Sequence, residues 1–184
     1  MIRRFLFGVS LSLAVATGQE QGKILRPVDG AALPAGSELS IIAKDPGGKL
    51  EIDGKPVPAE QPFPEVLHAK TKPAPGAHTL ALVSERGRQE IRFFVGEAPA
   101  GFKAFRQHPP LAVECTQCHG LSARGRFRFT GGCFDCHKEE GFIKTHSHKS
   151  EILVECGQCH NAHGSTEKAL LLMPREKACK LCHN

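Results

Sequence analysis

The sequence predicts a two-part chain: a small all-β sandwich, then a cysteine-rich half with little regular secondary structure and only short helices. Three observations carry this. Short apolar runs over residues 24–95 are divided at intervals by turn dipeptides. All eight cysteines fall between Cys115 and Cys182. Beyond residue 102 neither a helical nor a strand period persists, and the apolar residues are too scattered to build a core of their own. A length of 184 residues admits one compact domain or two small ones, and the shift in composition decides for two.

Residues 1–18 are the first element. A basic start, Met1-Ile2-Arg3-Arg4, precedes an apolar run over 5–16 that is short for a bilayer span. Ala14, Ala16 and Gly18 supply small residues for processing, so the segment reads as a cleaved signal peptide. The expected location is outside the cytoplasm, in the periplasm or at the cell surface. No other stretch approaches the roughly 18 consecutive apolar residues of a membrane helix.

Residues 23–97 form the predicted sandwich. Its turns are Asp29-Gly30, Pro46-Gly47-Gly48, Asp53-Gly54, Pro75-Gly76 and Arg86-Gly87. Leu50, Ile52 and Val57 flank a hairpin turn, Leu80 and Leu82 alternate, and Ile91, Phe93 and Val95 share one face. His68 and His78 lie in this part without any Cys-His motif beside them, which makes them surface or turn residues. From Arg26-Pro27-Val28-Asp29-Gly30 to Phe93-Phe94-Val95 the segment resembles an immunoglobulin-like (Ig-like) module of bacterial exported proteins, without the antibody-type Cys and Trp markers. Residues 98–101 read as a linker, and 102–184 as the second domain.

Four segments of that domain share one spacing: Cys115-Thr116-Gln117-Cys118-His119, Cys133-Phe134-Asp135-Cys136-His137, Cys156-Gly157-Gln158-Cys159-His160 and Cys179-Lys180-Leu181-Cys182-His183. In C-x-x-C-H the two thiols each form a thioether to one haem edge, and the adjacent His becomes the proximal iron ligand. Thus Cys115, Cys118, Cys133, Cys136, Cys156, Cys159, Cys179 and Cys182 are the attachment residues of four haems c, with His119, His137, His160 and His183 as proximal ligands. Two tetrahedral zinc sites, or four disulfides, would also use eight cysteines. Both leave the His after every motif without a role.

A six-coordinate iron also needs a distal ligand. With the motif histidines set aside, this half retains His108, His146, His148 and His163, four for four haems. Met173 competes as a distal ligand and reads better as a packing side chain, while Lys103, Lys138 and Lys149 are unusual alternatives. Val113-Glu114-Cys115-Thr116-Gln117-Cys118-His119 recurs as Val154-Glu155-Cys156-Gly157-Gln158-Cys159-His160, each followed by a second motif. The repeat unit is therefore a pair, in modules of about 108–145 and 146–184. Together with Cys159-His160-Asn161-Ala162-His163-Gly164-Ser165, these modules resemble the doubled C-x-x-C-H units of multihaem cytochromes c. That resemblance implies two covalent haems per module, bis-His iron, close haem packing and electron transfer between periplasmic or surface partners.

Four macrocycles shared by so few residues would form the interior of this half. Phe102, Phe105, Phe127, Phe129, Phe134 and Phe142 are then expected to pack against them, and Arg124, Arg126 and Arg128 to form a basic ribbon for propionates or an acidic partner. Residues 100–184 carry twelve Lys/Arg against eight Asp/Glu, without the dense basic run that nucleic-acid binding needs. The function expected is one-electron transfer by a carrier with no substrate turnover of its own. Its donor would be a quinol-oxidising membrane complex or another cytochrome, and its acceptor a terminal reductase or another cytochrome. The alternatives are a reductase of nitrite or a sulfur oxyanion, with one open-site haem, and a docking subunit held to a respiratory complex through the sandwich.

Overall fold

In the computed structural model of the chain, which describes residues 22–108, 114–138, 140 and 156–183, the alternation seen in the first half resolves into nine strands. They are β1 (Lys23–Arg26), β2 (Ala31–Leu33), β3 (Leu39–Lys44), β4 (Lys49–Ile52), β5 (Lys55–Val57), β6 (Glu60–Phe63), β7 (Val66–Thr71), β8 (Gly76–Ser84) and β9 (Gly87–Val95). A tenth, β10 (Lys103–Ala104), joins them. The expected leader, His146, His148, Phe142 and Lys149 lie outside the described residues.

Two sheets face each other, one ordered β1-β3-β7-β6 and the other β10-β2-β9-β8-β4-β5. Period two puts every second side chain inward: in β3, Leu39, Ile41 and Ala43 are buried, and in β9, Ile91, Phe93 and Val95. Leu33, Leu50, Leu80 and Leu82 complete one core between the sheets. Each such Leu or Phe contributes about 1.5–3 kcal/mol by leaving water. The chain passes from the first sheet to the second between β1 and β2, across the cis Arg26–Pro27 bond.

The predicted turn residues sit where the backbone needs them. Asp53 and Gly54 join Ile52 to Lys55 with φ of 52° and 74°, the left-handed pair of a two-residue hairpin. The Asp53 carboxylate accepts the Thr79 N–H at 2.9 Å and pairs with His78 Nδ1 at 2.7 Å. These contacts hold its pKa below the usual carboxylate value, the Thr79 amide being the larger cause and His78 the next. His78 also reaches the Ala74 carbonyl, and His68 lies between Ser40 and Glu60. Both histidines thus sit on strands rather than turns and have partners within the sandwich.

The start of the second domain needs correcting. Residues 102–106 do not leave the sandwich. Lys103 and Ala104 pair in parallel with Ala31 and Ala32, and the Phe105 N–H donates to the Ala32 carbonyl at 2.7 Å. Phe105, expected to pack against haem, enters the sandwich core at 9% exposure, and Phe102 packs on Phe94 of β9. The cause is backbone hydrogen bonding: β2 would otherwise leave an open edge, and a two-residue strand closes it without any alternation in the sequence.

Among the described residues beyond 106, regular structure is sparse. One hairpin joins β11 (His119–Leu121) to β12 (Phe127–Phe129), and a short helix spans Arg175–Cys179. Among the described residues of this region only Gly164 and Ser165 are buried, both against the sandwich. The mostly β, two-part architecture agrees with the sequence prediction.

Candidate haem-attachment sites

Each C-x-x-C is wound into one tight turn. Cys115–Gln117, Cys133–Asp135 and Cys156–Gln158 are single turns of 3-10 helix, and Cys179 closes the short helix. In all four the second Cys donates its N–H to the carbonyl of the first, at 3.2–3.3 Å. In three, the following His N–H reaches the same carbonyl: His137 and His160 at 2.9 Å and His183 at 3.0 Å. His119 differs, because it opens β11 opposite Phe129. None of the eight cysteines is paired in a disulfide. The Cys133 thiol is pushed up first by burial and then by a hydrogen bond with Cys156, with Cys118 also within electrostatic reach. Three of the four motifs therefore converge.

At the first motif His163 faces His119, ring centroids 5.9 Å apart and planes within 14°. At the second, His108 faces His137 at 5.8 Å, with the planes at 67°. An imidazole nitrogen sits about 2 Å from a metal, so two rings on opposite sides of one metal have centroids roughly 6 Å apart. Both pairs have that span. Burial lowers the pKa of His108, His119 and His163, the last to about 4. For His163, burial is followed by the charges of His119 and Arg26. A neutral imidazole is the form that binds metal.

The surroundings fit haem. His119 is stacked on Phe127 at 4.8 Å and met edge-on by Phe129 at 5.7 Å. Its buried Nδ1 has no hydrogen-bond partner among the described residues. The exposed large apolar side chains among them are Leu121, Phe129, Phe134, Leu172 and Leu181, all in the motif-bearing half. That is the chemistry a flat porphyrin covers. Among the described residues no three or more His, Cys, Asp or Glu converge as a metal cage, whereas two protein ligands suffice where a macrocycle supplies the other four.

The loop after the third motif is built in detail. His160 Nδ1 donates to the Ala169 carbonyl at 2.7 Å, which fixes the tautomer and makes Nε2 the basic nitrogen. That carbonyl is aimed by two consecutive left-handed residues, Ala169 and Leu170, with φ of 53° and 56°. Asn161 Oδ1 accepts the His163 N–H at 3.0 Å, forming the turn that presents His163. Gly164 follows at φ +123°, where a Cβ would run into the Phe105 ring and come 2.9 Å from the Arg106 carbonyl. Ser165 and Arg106 exchange backbone hydrogen bonds at 2.8 and 2.9 Å, and Lys103 pairs with Glu167 at 2.7 Å. The sandwich thereby holds the loop that carries His163.

Of the predicted site residues, His119 meets His163 and His137 meets His108, and the third and fourth motifs keep their turns. Met173 lines a cleft with Val28, Asp29 and Lys177. Arg124, Arg126 and Arg128 stand exposed around β12. Sequence reasoning missed Phe63 of β6, which packs on Phe127 at 5.0 Å and on His119 at 6.5 Å, and Arg26 at the end of β1. Both belong to the sandwich, and only the fold brings them here.

Residues 148–184 match the family model described as the doubled CXXCH motif. No curated protein matches the chain. Among solved structures, the fibronectin(III)-like modules of CbhA from Clostridium thermocellum are similar at 16% identity and a TM-score of 0.35, over 43% of this chain and 100% of that one. The M1 domain from titin is similar at 12% identity and a TM-score of 0.27, over 39% and 92%. The twitchin kinase region from C. elegans matches at 11% identity and a TM-score of 0.29, over 41% of this chain and 16% of that one.

Proposed function

We propose that this chain, a multihaem c-type cytochrome by its doubled CXXCH motif, carries four haems c and passes single electrons between redox proteins outside the cytoplasm. The observation that carries the reading is the facing of His163 on His119 and of His108 on His137. Held by His119 with His163, or by His137 with His108, an iron would have no place for substrate, and the chemistry bound haem would supply is reversible one-electron exchange. The protein's own contribution is positional. The cysteine turns fix the attachment points, Ala169 orients His160, and the 161–165 turn presents His163. The approach of Cys118, Cys133 and Cys156 supports haems packed closely enough to share electrons.

A reductase needs an iron with an open sixth position. With His163 beside His119 and His108 beside His137, the first two irons would have a second imidazole at hand, so an open iron would have to belong to the third or fourth motif. His146 and His148 would be the remaining distal candidates for those two irons. The donor would be a quinol-oxidising membrane complex or another cytochrome and the acceptor a terminal reductase or another cytochrome, met in the periplasm or at the cell surface. The test replaces the cysteines of one motif at a time by Ala and measures haem per protein after export from a host that attaches haem. Four per chain in the parent and three in each variant are expected. A variant that keeps the parent's ratio overturns the count.

A further inference from the structure

We propose that Arg26, from the β-sandwich, is the carboxylate-binding residue of the haem attached at Cys115 and Cys118, holding a propionate and raising that haem's potential. The sandwich is then one wall of that site rather than a separate module. This rests on the tetrahaem reading above and assigns a residue outside every C-x-x-C-H motif.

Four observations converge. Arg26 ends β1 where the chain changes sheets, so its backbone is fixed by the sandwich. Its guanidinium bonds Gln107, and the adjoining Arg106 pairs with Ser165, two residues after His163. Its Nε is buried and has no hydrogen-bond partner among the described residues, as is true of His119 Nδ1. Finally, Phe63 on His119 and Phe127, and the Arg106–Ser165 bridge, seal the sandwich against the same site.

A buried guanidinium donor without a partner costs free energy, and burial also lowers the pKa of Arg26. Among the described residues it has no ion pair with an acidic side chain. Its planar fork matches a carboxylate, and a propionate is the carboxylate that haem itself brings. The exposed Arg124, Arg126 and Arg128 share the charge but lack this enclosure. A fixed cation favours the reduced iron, which carries one positive charge fewer, so Arg26 raises the potential of this haem above what its two imidazoles alone would give.

Potentiometric titration of the holoprotein, followed by electron paramagnetic resonance, tests this. The first haem is identified as the one that turns high-spin in His163→Ala. In Arg26→Gln its midpoint is expected to fall so that reduced over oxidised drops about three- to tenfold at fixed potential, a shift of about 30–59 mV for one electron. Arg26→Lys should recover most of the shift, and Gln107→Ala, which keeps the charge, should move the midpoint far less. An unchanged midpoint in Arg26→Gln, with four haems still attached, overturns the proposal and leaves the tetrahaem reading standing. An equal shift in Gln107→Ala overturns it as well, since the effect is then one of packing. Absence of haem at Cys115 and Cys118 in the parent overturns both.

Discussion

In the proposed coordination, His163 and His108 are the distal ligands of the first two irons. Replacing His163 by Ala leaves every attachment cysteine in place and removes one proposed iron ligand. The expected outcome is an unchanged haem count, with one haem in four becoming high-spin and binding carbon monoxide in the optical spectrum. His108→Ala should do the same to the haem of His137. The two should also differ before mutation: near-parallel imidazoles at His119 and His163 give a rhombic low-spin resonance, and the crossed planes at His108 and His137 a highly anisotropic one. At this scale the sequence marks out the candidate residues, because the C-x-x-C-H spacing encodes its own chemistry. It was silent on pairing. His163 follows the third motif yet faces the His of the first, and Arg26 lies far upstream of both, so only tertiary contacts bring them together.

The sandwich strands were legible wherever one face is buried, since burial enforces the two-residue alternation seen in β3 and β9. β10 was not, because two residues cannot show a period and their pairing is decided by the backbone of Ala31 and Ala32. Its hidden neighbour, the 161–171 loop, depends on Gly164. Gly164→Ala places a methyl against Phe105 at a φ of +123°, and should cost about 1–3 kcal/mol in thermal unfolding. It should also leave part of the first haem high-spin, because His163 precedes the clash. The β4–β5 turn makes an acid-side prediction. Asp53 titrates lower in the fold than in the unfolded chain, so its contribution is present above the ordinary carboxylate pKa and is lost as the pH falls through its folded value. Asp53→Ala should remove that part of the acid dependence in a urea titration. Because the carboxylate is half exposed, the cost near neutral pH should stay below about 1 kcal/mol.

The molecule as a whole divides its stability unequally. Two packed sheets give the first half its own core, whereas the motif-bearing half buries only Gly164 and Ser165 among its described residues, both on the sandwich. Composition foretold this asymmetry, but not that the halves share a wall through Phe63, Phe105 and the Arg106–Ser165 bridge. Protein made without haem attachment should keep the circular dichroism of a β-sandwich while a protease removes the cysteine-rich half; equal resistance in both halves would contradict that division. The central claim, four bis-His haems on one chain, is tested most directly by the haem-to-protein ratio and reduced-minus-oxidised spectrum of the exported protein, with and without carbon monoxide. Four covalent haems whose reduced spectrum does not change with carbon monoxide are predicted. Fewer than four, or any fraction that binds the gas, would contradict it.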